Sequence, residues 1–248
     1  MQTRTDDEVV AEEGEAEKGL VIERRFTTAG ADPFDAFDWI EMSVEIRNPD
    51  GSLADEIHGV QLPSGFAGVP GKVCAQKYLR KAGVPAALRK VAEDGVPGWL
   101  QRSEPDHEKL QTLAPEDRFV GETDGRELFR RLAGTWTYWG WNHGYFASEA
   151  DARAFYDEMA YLIASQRSAP NSPQWFNTGL NWAYGITGPA QGHHYVDAVT
   201  GELKLSEDAY THPQPHACFI QSVGDSLVGG TESIMGLWNR EALLFKYG

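Results

Sequence analysis

Pro213-Gln-Pro-His-Ala-Cys-Phe-Ile-Gln-Ser222 is the stretch on which the reading of this chain turns. Its two prolines hold the approach to Cys218 extended, because each fixes its own φ and disfavours helix for the residue before it. Ala217 to Ile220 then reads as a short buried strand. A helical pattern opens at Asp225-Ser226 and runs to the chain end. A thiol at the mouth of a strand, between prolines and a helix start, is an unusual place for a packing cysteine, so Cys218 is a candidate reactive group. Upstream, Ala169-Pro-Asn-Ser-Pro-Gln-Trp-Phe-Asn-Thr-Gly179 packs turn formers around two aromatics. That composition predicts a loop with backbone groups and small hydroxyls facing outward, either a cradle for a polar ligand or a plain connection. Between the two stretches, Tyr195 to Leu205 predicts a small surface hairpin.

Working outward, Asp124-Gly-Arg-Glu127 is a capping box, and Leu128, Leu132, Trp136 and Trp139 stripe the helix it opens, which Gly144 ends. The Trp136, Trp139 and Trp141 cluster is read as core. Ser148 caps a second helix with Phe155, Met159, Leu162 and Ile163 on its apolar face, and the short connection makes the two an antiparallel pair. Earlier still, Trp39 to Arg47 alternates apolar and polar residues, Asn48-Pro-Asp-Gly51 is turn chemistry, and Ser52 to Leu62 alternates more weakly, so a β-hairpin is expected. Two short helices broken by Gly83-Val-Pro85 are expected between Ala67 and Ala92, and Gly95 to Pro115 reads as irregular. Three parts follow: an acidic tail over 1–19, a hairpin and helical region over 20–168, and a last part over 169–248. The tail has too few apolar residues to order itself.

The net charge of −15 argues against a nucleic-acid groove or an anionic membrane surface as partner. With 41% apolar residues and eight tryptophans the chain can bury a core. No apolar run approaches the roughly 20 residues of a membrane span, and no apolar signal segment is visible at the start. Two cysteines, Cys74 and Cys218, make no disulfide framework and suit a reducing cytoplasm. His193, His194, His212 and His216 are near one another in sequence, yet no zinc-type spacing is present and no metal site is expected.

Pro170-Asn-Ser-Pro-Gln-Trp-Phe-Asn-Thr-Gly179, then Pro213 to Ser222, then Leu244-Phe-Lys-Tyr-Gly248 closely resemble the class II, adenosylcobalamin-dependent ribonucleotide reductases. Arg24-Arg-Phe-Thr-Thr28, Asn48 to Gly51, Ala75-Gln-Lys-Tyr78 and Gly144-Tyr-Phe146 are similar to the amino-terminal region of that family. The resemblance covers about residues 20 to 248. It implies α/β architecture, α+β within this chain, in which a hairpin and helical layer lead into the first strands of a ten-stranded α/β barrel.

It also implies roles. Cys218 matches the first cysteine of the pair that reduces the ribonucleotide and closes to a disulfide. Ser172 matches a substrate-binding hydroxyl, and Ala217 with Cys218 matches backbone beside the nucleotide. Asn177 and Gly179 lie in the Ser172 loop. Cys74 is read as packing. The implied cofactor is adenosylcobalamin, with most contacts outside this chain. The implied partners are a ribonucleotide, with diphosphate favoured, a thioredoxin or glutaredoxin-type reductant, the carboxy-terminal part of the reductase and a second copy in a homodimer. The family's thiyl cysteine and second reducing cysteine are expected downstream, so the chain is expected to be an amino-terminal part. Two other functions stay open: a non-catalytic interaction domain, and a hydrolase using Cys218 with His216 or His212 as base.

Overall fold

The computed structural model describes residues 19–190 and 192–247, and the acidic tail expected before Gly19 lies outside them. The described chain is α+β: helices pack around small antiparallel ladders, each of two strands. The predicted hairpin forms from β1 (Trp39–Arg47) and β2 (Leu53–Pro63), paired from Trp39 with Pro63 to Arg47 with Leu53. Gly51, at φ +86°, takes the left-handed turn position that glycine tolerates. Val44, Val60 and Leu62 point inward and are fully buried.

Helix α1 (Val69–Val73) passes directly into a wider π turn, Cys74–Tyr78. Cys74, Ala75 and Leu79 join the hairpin's inner face in the main core. The second helix expected before Ala92 does not form. Val84–Pro85 (β3) and Leu88–Lys90 (β4) are extended instead. β4 pairs with β5 (Ser103–Pro105), and β3 pairs with β6 (Phe119–Val120) after the short helix α2 (His107–Thr112). Helix propensity in Ala86-Ala-Leu-Arg-Lys90 is worth only tenths of a kcal/mol per residue, and the ladders offered by the supposedly irregular segment after Gly95 outweigh it.

Helix α3 (Gly125–Asn142) starts at the expected capping box: Asp124 accepts from the Arg126 amide at 2.8 Å while the Glu127 carboxylate accepts from the Asp124 amide at 3.4 Å. Leu128, Phe129, Leu132 and Ala133 are fully buried. The tryptophans are only partly so, and Trp136 packs at the core's edge. Helix α4 (Glu149–Ala164), capped by Ser148, returns along α3. Its buried residues are Ala152, Ala154, Ala160, Ile163 and Ala164 together with two acids, Asp157 and Glu158, which the apolar stripe did not anticipate. Those acids face the segment after Gly19. Asp157 pairs with Arg24 at 2.8 Å, and Glu158 accepts from the backbone amides of Phe26 and Thr27 and from the Thr27 hydroxyl at 2.6 Å.

The Asn171 to Gly179 segment is not the predicted loop. It forms a short helix, α5 (Ser172–Asn177), with Pro173 in its first turn, and Gly179 leads into α6 (Leu180–Tyr184). The surface hairpin forms as expected from β7 (His194–Val196) and β8 (Leu203–Leu205). The last helix, α7 (Ile234–Tyr247), begins later than predicted. Gly229 and Gly230 sit at φ +128° and +109°, outside helical space, so the earlier pattern cannot propagate, and Ser233 receives the Gly236 amide instead.

Candidate functional site

Ala217 to Ile220 is not a buried strand. It runs unpaired across the surface, and Cys218, Phe219 and Ile220 are exposed. A strand buries its edges only against neighbours, and none pairs with it among the described residues. The stretch is held from behind by α7: Arg240 donates to the Ser222 carbonyl at 2.6 Å, and the Ile234 amide to the Ser226 carbonyl at 2.9 Å. A groove of about 770 Å³ lies between them, lined by Cys218, Gln214, Arg240, Leu243 and the two histidines His193 and His194. The site therefore offers one accessible thiol in a recess with apolar walls and a guanidinium at its rim.

The other thiol is its opposite. Cys74 is 2% exposed, and burial, reinforced by the nearby Glu122 carboxylate, pushes it up to about 12. Only a thiolate alkylates. Iodoacetamide at neutral pH is expected to label Cys218 and leave Cys74 unmodified until the chain unfolds, as peptide mass spectrometry of native and urea-treated samples would reveal; equal native labelling of both would contradict this burial.

The histidines do not make the pairing a hydrolase needs. Neither His212 nor His216 lines the groove with Cys218. His212 stacks on Tyr195 with centroids 3.7 Å apart, and burial together with His193 holds it below the ordinary imidazole range. Among the described residues no group of three or more His, Cys, Asp or Glu side chains could hold a metal ion.

Ser172 is exposed and Asn177 half-buried on α5, while Ala217 is exposed beside Cys218. Neither Ser172 nor Asn177 lines the Cys218 groove, so the structure does not join the two sequence motifs into one recess. What it does show is how α5 is held. Arg131 of α3, 1% exposed, donates through Nη1 to the Thr178 carbonyl at 2.7 Å and through Nη2 to the Trp175 carbonyl at 3.0 Å. The same Nη2 reaches the Tyr78 carbonyl at 3.3 Å, and Nε donates to Glu122 at 2.7 Å. Glu122 also accepts from the Arg80 amide at 2.7 Å and the Tyr184 hydroxyl at 2.6 Å. Burial alone would raise the Glu122 carboxyl. The Arg131 charge and these hydrogen bonds overcome it and hold Glu122 below the usual carboxylate range.

Sequence reading missed this hub. The signal was present: Arg131 stands three residues after Leu128 and one before Leu132, inside the buried helical stripe. Gly179 belongs to it as well. Its φ is +85°, and a Cβ there would lie 2.5 Å from the Arg131 carbonyl and 2.6 Å from Thr135 Oγ1. Left-handed strain and overpacking together make Gly179→Ala cost roughly 2–4 kcal/mol. Urea denaturation is the measurement, and a midpoint equal to wild type would refute the close approach.

Comparison with known proteins adds the family. A family model described as class II vitamin B12-dependent ribonucleotide reductase matches residues 40–166. The vitamin B12-dependent ribonucleotide reductase of Bradyrhizobium diazoefficiens is 58% identical over 229 residues, 92% of this chain and 18% of the relative. That of Agrobacterium fabrum is 57% identical over 229 residues, with the same coverage of 92% and 18%. That of Streptomyces avermitilis is 30% identical over 239 residues, 95% of this chain and 18% of the relative. The chain thus spans 18% of the length of these curated relatives.

Proposed function

The chain belongs to the class II, vitamin B12-dependent ribonucleotide reductases, and from that premise we propose that it serves as the amino-terminal part of an enzyme converting ribonucleotides, diphosphates by preference, to deoxyribonucleotides for DNA synthesis. The observation that carries the reading is the single accessible thiol, Cys218, recessed in a groove while Cys74 is sealed in the core. In this reading Cys218 and a second cysteine outside this chain each give up a hydrogen atom equivalent. The two sulfurs form a disulfide, the substrate loses its 2′-oxygen as water, and a thioredoxin or glutaredoxin-type dithiol reopens the disulfide. Ser172 and Asn177 present polar groups to the nucleotide from α5, and Ala217 offers backbone beside it.

The relatives' names carry vitamin B12, which would supply the radical in the complete enzyme. In this reading most of the cofactor's contacts lie on the remaining polypeptide. That polypeptide would contribute most of the ten-stranded barrel. Ile220 on the Cys218 segment, with Trp238 and Phe245 on α7, are exposed apolar side chains, which supports a covering partner of this kind. A homodimer in the cytoplasm completes the proposal.

The test is disulfide trapping in the complete enzyme. After a single turnover without external reductant, alkylation and mass spectrometry should find Cys218 bonded to a cysteine outside this chain and Cys74 free. Stoichiometric deoxynucleotide with Cys218 still alkylatable would sink the assignment.

A further inference from the structure

We propose that the buried Arg131–Glu122 pair is a positioning device for the nucleotide subsite, clamping the carbonyls of Trp175 in α5 and of Thr178 just past its end, and so fixing where Ser172 and Asn177 stand toward the ligand. The proposal deepens the functional reading above and rests on it. Helix α5 has six residues, too few to hold its own shape in water. Its geometry is therefore imposed from outside, and three independent features impose it. Arg131 takes the Trp175 and Thr178 carbonyls on one guanidinium. The Tyr78 ring stacks on Trp175, with centroids 5.0 Å apart and planes 12° apart, and tilts against Phe176 at 5.7 Å. Gly179 brings the segment's end against the α3 backbone.

The same guanidinium reaches the Tyr78 carbonyl, so one side chain ties the Ala75-Gln-Lys-Tyr78 turn to the Ser172 segment. An ion pair this deeply buried seldom adds net stability over apolar replacements of the same volume. Its distinctive contribution is direction: a planar fork fixes several acceptors in one geometry, which a hydrocarbon cannot do. Glu122, itself held by Arg80 and Tyr184, sets the rotation of that fork. Arg131 touches no reacting atom here; it is a positioning residue.

The test uses steady-state kinetics of the complete reductase with R131K, S172A, Y184F and L132A. Lysine keeps the charge and loses the fork. R131K is expected to raise KM for the ribonucleotide about tenfold while kcat stays within about threefold. L132A removes core volume on the same helix but no hub hydrogen bond, and should lower the melting temperature at unchanged KM. A KM for R131K within twofold of wild type, with S172A raising it, overturns the clamp and leaves the segment's role intact. An unchanged KM in S172A overturns the reading of the segment, and the clamp with it.

Should R131K fail to accumulate, Y184F removes a single hydroxyl from Glu122, and amide exchange decides. The Thr178 amide, bonded to the Gln174 carbonyl, should exchange about tenfold faster while amides of α4 keep their rates. Equal acceleration in both places, or none at Thr178, overturns the proposal.

Discussion

In the complete reductase, Cys218→Ser is expected to reduce multiple-turnover activity to background while nucleotide affinity changes by less than about threefold. Serine is nearly isosteric and keeps a hydroxyl, so the groove that Cys218 lines should retain its shape. What serine cannot do is form a disulfide, and the two electrons removed from the thiol pair then have no route to the substrate. The control is Cys74→Ser. That thiol is packed in the core as a small hydrophobe, so its replacement should preserve turnover and cost at most about 1–2 kcal/mol. Sustained thioredoxin-dependent turnover by the Cys218→Ser enzyme would show that some other residue carries the reduction.

The second large effect concerns folding. Glu122→Ala leaves the Arg131 guanidinium buried without its counter-charge, and breaking such a pair costs roughly 3–5 kcal/mol. With a urea slope near 2 kcal/mol/M that is a midpoint lowered by about 2 M, enough to unfold a marginal domain. Glu122→Leu combined with Arg131→Met should recover most of the loss, because apolar groups of similar volume need no partner. If the single variant stays within about 0.5 M of wild type, the pair is not energetically coupled to the fold.

The acid limb of stability has a definite sign. Glu122 is held below its unfolded value, so its contribution is present above about pH 4.3 and disappears as pH falls through the folded value. Wild type should therefore lose stability on acidification in that window more steeply than Glu122→Ala. Parallel acid limbs would mean that the carboxylate is not what holds Arg131.

Much of this was legible in the chain, for reasons specific to each element. The hairpin and α3 announced themselves because period-two alternation and a capping box are local signals that tertiary packing reinforces. Cys74 as a packing residue and the Tyr195 to Leu205 hairpin were readable in the same way. The stretch from Gly83 to Pro105 was not, since its strands exist only by pairing with distant partners. Ala217 to Ile220 has the composition of a buried strand, but burial needs neighbours that these described residues do not supply. The thiol and the Ser172 motif were visible as residue types, and the buried position of Arg131 could be read from the helical stripe; its bonds to α5 and the Tyr78 turn could not, because those acceptors are backbone carbonyls and carry no sequence mark.

The grip of α4 on residues 22–27 has a consequence for how this chain can drift over generations. Asp151 receives the Ile22 amide at 2.9 Å, and Glu158 receives those of Phe26 and Thr27. Recognition of this sort reads the peptide group and ignores what hangs from it. Substitutions at the other positions of 22–27 should accordingly accumulate with little penalty, Arg24 and Thr27 being restrained by their own contacts with the two buried acids and Phe26 by its stack on Tyr161. One residue is barred throughout: proline at 22, 26 or 27 deletes the very hydrogen that a carboxylate is waiting for.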